Sequence, residues 1–119
     1  MGRGEQAIHA YQTAIRLDPK VKYTYYNLGL VHQQNKQYHL AAMNLMKAIK
    51  LDPHYLDARL ALANTLFDKR RLSPPEIELL KINLARIRDA LPPSDPRRIQ
   101  AEENSRILMQ ALDRMPRRE

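Results

Sequence analysis

Cysteine and tryptophan are absent from these 119 residues, which contain only three glycines and one phenylalanine. Without cysteine there is no disulfide, no thiolate zinc site and no cysteine nucleophile, and the redox state of the compartment is left open. The glycines, at positions 2, 4 and 29, do not form a phosphate-binding loop. Because no run of about 18 apolar residues occurs, we expect no membrane-spanning helix.

Catalysis, metal binding and cofactor binding find no support among the residues that are present. The four histidines are not paired four residues apart, whereas zinc needs three or four convergent ligands. Ser73 and Ser94 stand before or near prolines, where helix capping explains a serine better than nucleophilic chemistry does. We therefore expect a non-catalytic protein that carries neither metal nor cofactor.

Positive charge is abundant but evenly spread. The formal net charge is +7, of which residues 1–68 carry +3 and residues 69–119 carry +4, so there is no basic tail. Local basic clusters can attract nucleic acid or an acidic membrane, and docking through them is an alternative function for this chain. Because basic and aromatic residues are not interleaved as in an RNA-binding module, the sequence disfavours nucleic acid. The residues of this basic surface are Lys69, Arg70, Arg71, Arg97 and Arg98.

A hexapeptide recurs in the chain with an offset of 34 residues. Residues 14–19 read AIRLDP and residues 48–53 read AIKLDP, and the same offset carries Ala7 onto Ala41. A fixed period of this length is typical of solenoids built from helical hairpins. Such arrays bind other molecules along one face.

Apolar periodicity and turn residues predict six helices. An Asp-Pro pair ends the first and third, because the residue before proline is pushed out of the α region. The segment from Ser73 to Glu76 has the pattern of a capping box at the start of the fifth helix, which closes at Leu91. The other five are expected over residues 5–17, 21–35, 38–50, 55–68 and 96–115. The last helix is expected to turn these residues inward: Ala101, Ile107, Leu108, Ala111, Leu112 and Met115.

Residues 22–55 resemble a tetratricopeptide repeat. The family alternates small residues, where paired helices approach closely, with large residues that fill the spaces between them. His32 and Leu45 depart from the pattern, since both stand where the family usually has an aromatic residue. The resemblance implies an all-α, TPR-like solenoid of antiparallel helix pairs, with about six helices and a C-terminal capping helix. The positions that carry it are Tyr25, Leu28, Gly29, Tyr38, Ala41, Ala48 and Pro53.

The resemblance divides a single domain, residues 1–119, into four parts. We expect the second helix of an incomplete repeat (5–19), a full repeat (22–55), a divergent repeat (56–91) and the capping helix (95–116). Because the first helix of the incomplete repeat is missing, an apolar stripe is left exposed. We expect either a second copy or the rest of a larger chain to cover it.

The resemblance also implies a function and a binding surface. In this family the first helix of each pair lines a concave groove that binds peptides or partner helices, so we expect a non-catalytic scaffold or adaptor with a protein or peptide ligand. Tyrosines suit the role of interface anchors, and asparagines can clamp a peptide backbone. The groove positions are Tyr23, Tyr26, Asn27, Leu30, Gln33, Gln34, Asp57, Leu60, Ala61, Asn64, Phe67 and Asp68.

One subclass of the family grips a C-terminal carboxylate with paired lysine, asparagine and arginine side chains. Asn27 matches one of these positions, but Asp57 and Ala61 stand where the basic partners would fall. Because an acidic side chain repels a carboxylate, we do not expect that mode of binding.

Overall fold

The computed structural model describes residues 2–115, which form six α-helices and no strand. Every predicted helix is present, with its ends within two residues of the expected positions. The predicted end of the capping segment, residue 116, lies outside the described residues. Within residues 2–115, no helix is both long and apolar enough to cross a membrane. The helices are α1 (Arg3–Leu17), α2 (Lys22–Gln34), α3 (Tyr38–Leu51), α4 (Leu56–Lys69), α5 (Pro74–Ala90) and α6 (Pro96–Asp113).

Each helix packs against the next one along the chain, which produces an array of antiparallel pairs. The array is curved, because α2 and α4 contact each other whereas no Cα atom of α5 lies within 8 Å of one in α3. The concave side is therefore lined by α2 and α4, and the convex side by α3 and α5. This all-α helical repeat confirms the predicted fold class.

The repeated hexapeptide folds into the same turn both times. Asp18 and Asp52 leave the helical region with nearly equal backbone angles, φ −148° and ψ 100° for the first and φ −144° and ψ 97° for the second. Their carboxylates accept hydrogen bonds from the backbone N–H groups of Lys20 and His54, each at 3.0 Å. The 34-residue period is thus a period of geometry as well as of sequence.

The closest helix approach lies at Gly29, between α2 and α3. A Cβ atom at this position would lie 2.8 Å from Leu45 Cγ and 3.3 Å from the carbonyl oxygen of Ala41. Such contacts are too short for any side chain, so only glycine lets the two helices pack this closely. On the same face of α2, His32 is buried with its Nδ1 2.8 Å from Gln37 Oε1.

The core is centred on α4 and α5 rather than on the more regular N-terminal repeat. Its largest fully buried side chains belong to α3, α4 and α5, whereas α1 has no buried residue. Helix α1 packs only on α2, so its apolar stripe is half-buried. The largest members of the core are Leu45, Leu62, Leu66, Leu80, Leu84 and Ile87.

Helix α6 buries a narrower stripe than its sequence predicts. Ala101 and Leu108 are buried, but Ile107, Ala111 and Met115 are exposed, so their predicted inward positions are wrong. The reason is that α6 has a single neighbouring helix, α5, and one contact covers only one row of side chains.

Candidate partner-binding groove

Helices α2 and α4 present the predicted groove residues along the concave side. Most of them are exposed or half-buried, and Tyr23 is 57% exposed. Leu30, Leu60 and Phe67 are half-buried because they also pack against the core. Ala61 differs from the rest, since it is buried and has little surface to offer a ligand.

Three tyrosines meet at the end of the groove where α2 and α4 begin. We call Tyr23, Tyr26 and Tyr55 the tyrosine cluster. The ring of Tyr55 lies 5.6 Å from that of Tyr23 in an edge-on arrangement and 5.2 Å from that of Tyr26. Aromatic pairs at these separations attract each other beyond the area they bury. The cluster is a rigid apolar surface with hydroxyl groups at its edge.

Tyr55 is a groove residue that the sequence reasoning missed. It stands one residue before α4, at the N-cap. The 34-residue offset carries it onto Val21, so the preceding repeat gives no sign of an aromatic there. Its only sequence signal is its place directly after an Asp-Pro turn, beside the first turn of a groove helix.

Two phenols of the cluster, those of Tyr26 and Tyr55, have a raised pKa because of their surroundings. Burial, with nearby Tyr26 and Asp57 next, raises the pKa of Tyr55 to about 12. Burial likewise raises the pKa of Tyr26, and the Asp57 carboxylate adds to the rise. These hydroxyls therefore remain hydrogen-bond donors at any physiological pH.

Charge near the cluster is largely balanced. The Lys22 ammonium lies 5.1 Å from the ring centre of Tyr23 and 5.0 Å from that of Tyr55. It also forms an ion pair with Asp52, which raises the pKa of Lys22 and lowers that of Asp52. Asp57 is exposed and has no ion-pair partner within residues 2–115. The Asp57 carboxylate therefore places one negative charge beside the tyrosine cluster.

A cavity of about 340 Å³ lies between α4 and α6, further along the concave side. We call it the α4–α6 slot. Its floor is formed by four buried apolar residues and its rim by longer side chains of the two helices. The floor residues are Ala63, Leu84, Ile87 and Ala101, and the rim residues are Leu60, Asn64, Arg97, Gln100 and Asn104.

The rim of the α4–α6 slot is dominated by amides. Gln100 donates a hydrogen bond from Nε2 to Asn104 Oδ1 at 2.9 Å. Asn64 makes no side-chain hydrogen bond to any of residues 2–115, so both its donor and its acceptor are available. The α6 contribution was missed because this helix does not follow the 34-residue period. The spacing of Arg97, Gln100 and Asn104 on one helix face is the signal that could have revealed it.

The far end of the predicted groove is less organised. Gln33, Gln34 and Asp68 lie at the C-terminal ends of α2 and α4, and within the described chain none of their side chains forms a hydrogen bond or ion pair. The structure thus concentrates converging side chains at the tyrosine cluster and the α4–α6 slot. It spreads the remaining predicted groove residues along the helices.

The residues of the predicted basic surface lie in two groups at opposite ends of α5. Lys69, Arg70 and Arg71 lie where α4 ends, while Arg97 and Arg98 lie where α6 begins. The antiparallel α5, with 17 residues, separates the two groups by roughly 25 Å. The predicted basic residues therefore form two separate groups in this helix order, and docking through either of them stays a prediction.

Three of these five cations are already paired with carboxylates. Lys69 binds Glu76, Arg97 binds Asp95 and Arg98 binds Glu102. Arg97 also lines the α4–α6 slot, so it belongs to the groove rather than to an outer basic surface. Arg70 and Arg71 are exposed, and Arg70 has a positive φ of 68° at the turn that ends α4.

A second apolar cleft, of about 700 Å³, lies on the convex side between α3 and α5. Met43, Met46 and Ile82 line it and are all more than 40% exposed. The ion pair between Lys69 and Glu76 closes one edge and leaves no free charge there. His39, Ser73 and Glu78 also line this cleft, so it has polar groups beside its apolar lining, as the α4–α6 slot does.

Family models and a curated relative describe the N-terminal half of the chain in the same terms. A TPR repeat model matches residues 1–36 and a tetratricopeptide repeat model matches residues 23–55. The human protein named Tetratricopeptide repeat protein 6 is 35% identical over 71 residues, which cover 58% of this chain. The matched region spans only 14% of that human protein.

Two solved structures share the fold over 94% of this chain. One is the first TPR of Spaghetti (RPAP3) bound to the HSP90 peptide SRMEEVD, with a TM-score of 0.74, 20% identity and 82% of that chain covered. The other is the type III secretion translocator chaperone SycD of Yersinia enterocolitica, with a TM-score of 0.75, 17% identity and 76% covered. The likeness extends through α4, α5 and α6, where no family model matches.

Proposed function

Because two tetratricopeptide repeat models match within residues 1–55, we propose that this chain is a non-catalytic scaffold that binds a peptide or partner segment in its concave groove. The observation that carries the proposal is the convergence of three exposed or half-buried tyrosines and free amides on one side of the helical array. Aromatic anchors beside hydrogen-bonding groups are typical of protein interfaces.

The mechanism is binding to a preformed surface. The rings of the tyrosine cluster support one another, so they lose little conformational freedom when a ligand covers them. Asn27 and Asn64 each offer one donor group and one acceptor to a peptide backbone. Binding energy then comes from burying tyrosine surface, while the amides fix the orientation of the ligand.

The two solved structures support a protein ligand without identifying it. The RPAP3 domain is described as bound to an HSP90 peptide, and SycD is described as a translocator chaperone. We do not carry the HSP90 peptide over to this chain. Its acidic end would meet Asp57 and Ala61, neither of which offers a positive charge.

The test is an affinity capture from native lysate that compares the wild type with the Tyr26→Ala/Asn27→Ala double variant, each with and without nuclease. We expect the double variant to lose the partners, because truncating an aromatic anchor costs about 2 kcal/mol or more. The captured partners should be indifferent to nuclease. Circular dichroism of both proteins should show equal helical content.

Partners that survive in the double variant and disappear with nuclease would contradict the groove and favour the exposed arginines instead. Gln110→Ala serves as the control, since Gln110 is exposed on α6, lies outside the predicted groove residues and makes no side-chain hydrogen bond within residues 2–115. It should capture the same partners as the wild type.

A further inference from the structure

Resting on the groove function above, we propose that the α4–α6 slot binds one bulky apolar side chain of the partner peptide. The groove would then prefer ligands that carry a leucine, methionine or phenylalanine at one position. The slot, unlike the tyrosine cluster, lies outside the region that follows the 34-residue period.

The slot exists because the last hairpin departs from that period. Helix α3 has 14 residues and delivers α4 into contact with α2. The corresponding helix α5 has 17 residues, and no Cα atom of α6 lies within 8 Å of one in α4. Two neighbouring groove helices are thus held apart, and the surface of α5 is exposed between them.

The floor of the slot selects an apolar group. Leu84 and Ile87 of α5 lie at its base, and Ala63 and Ala101 flank them with methyl groups only. A polar side chain entering here would lose its hydrogen bonds to water without replacement. The volume of about 340 Å³ is large enough to admit a bulky apolar side chain.

The rim of the slot explains why the occupant belongs to a peptide. Gln100 donates one N–H to the Asn104 carbonyl oxygen, so the Gln100 carbonyl oxygen and both N–H groups of Asn104 remain for a ligand. Asn64 faces them from α4. Amides on both sides of an apolar slot match a backbone that runs across it while one side chain points inward.

The experiment is a selection of random peptides displayed against the folded chain, followed by affinity measurements on the peptides recovered. We expect them to share one bulky apolar position. Ala101→Leu should fill the slot, weaken these peptides by about tenfold and remove the preference. Leu60→Ala removes one wall and should weaken them while leaving the fold intact.

Ala85→Leu is the matched control. It makes the same substitution at a half-buried alanine of α5, in a cleft on the other side of α6 beside Ser105 and Met109. The Ala85→Leu variant should select the same peptides as the wild type and bind them with the same affinities. If Ala101→Leu loses helical content, Gln100→Leu tests the same slot from an exposed rim position.

Two results would overturn the inference, and they can be told apart. Peptides that depend on Tyr26 but keep their apolar preference and affinity in both Ala101→Leu and Leu60→Ala would refute the slot and leave the groove function standing. Recovery of no peptide that depends on Tyr26 or on the slot would refute the groove function and the slot together.

Discussion

Single residues decide how closely the helices of this array approach. Gly29 is the clearest case, because a methyl group there would meet the branched carbon of Leu45, which is fully buried and cannot move aside. Gly4 has the opposite surroundings. Its nearest neighbour would be the exposed side-chain amide of Asn35 at 3.3 Å, which can rotate away. Close helix packing therefore requires a glycine at position 29, whereas the surroundings of Gly4 leave room for a methyl group.

Gly29→Ala is expected to destabilise the protein even though alanine favours a helix. The gain in helix propensity is about 1 kcal/mol, while overpacking a close helix contact costs about 1–3 kcal/mol. We expect a net loss of about 1 kcal/mol in the free energy of unfolding, measured by urea denaturation. Gly4→Ala is the control and should be neutral or slightly stabilising. Equal effects of the two substitutions would contradict the close approach at Gly29.

At the scale of the element, capping determines where the divergent hairpin starts. The Ser73 hydroxyl accepts a hydrogen bond from the Glu76 N–H at 3.4 Å, and the Glu76 carboxylate accepts one from the Ser73 N–H at 3.0 Å. Lys69, at the end of α4, binds the same carboxylate. Glu76 thus joins the end of one helix to the start of the next.

The link through Glu76 predicts a pH dependence of stability. Its hydrogen bonds with Lys69 and then Ser73 lower the pKa of Glu76 from 4.5 to about 2. Because the folded state holds the carboxylate ionised, this contribution is complete above pH 4.5 and is lost as the pH falls toward 2. Glu76→Gln should lower the free energy of unfolding by about 1 kcal/mol at pH 7.

The check on Glu76 is denaturant unfolding across that pH range. The difference between the wild type and Glu76→Gln should shrink as the pH falls below 4.5. Glu78→Gln alters an exposed carboxylate two residues away, and we expect its effect to stay within about 0.5 kcal/mol. A difference for Glu76→Gln that stays constant with pH would show that the ion pair and cap do not act through the carboxylate charge.

At the scale of the whole molecule, helix order decides which charges can act together. The antiparallel path from α4 through α5 to α6 puts the two basic clusters at opposite ends of α5. Three of their five cations form intramolecular ion pairs. A net charge of +7 therefore coexists with a surface that offers no continuous basic patch among these residues. The net charge influences how strongly charged partners are attracted over a distance, but it does not identify a binding site.

We expect only weak, non-specific binding to nucleic acid. Fluorescence anisotropy with a labelled RNA and a labelled DNA duplex should give dissociation constants no tighter than roughly 10⁻⁶ M at physiological salt. Arg71→Glu removes an exposed cation and should leave peptide capture unchanged. Much tighter binding to nucleic acid than that, with a steep salt dependence that Arg71→Glu reduces, would contradict the groove as the main binding surface.

The sequence by itself determined the helices, their ends and the repeat, because these depend on local interactions. Asp-Pro turns, the Ser73 capping box and apolar periodicity act within a few residues, and the 34-residue period shows that one such unit recurs. The groove positions on α2 and α4 were inferred from the resemblance to the tetratricopeptide repeat, and most of them are exposed or half-buried. Whether they bind a ligand stays a prediction.

Tertiary structure alone decided what depends on distance between helices. Tyr55 joins the tyrosine cluster because of the way α4 packs against α2. Arg97 lines the α4–α6 slot and Ile107 is exposed because α6 stands apart from α4. That distance depends on how α5 packs between α4 and α6, and it cannot be read from a pattern that stops at residue 55. Periodicity fixes which face of a helix is apolar, but only packing decides whether a neighbour covers it.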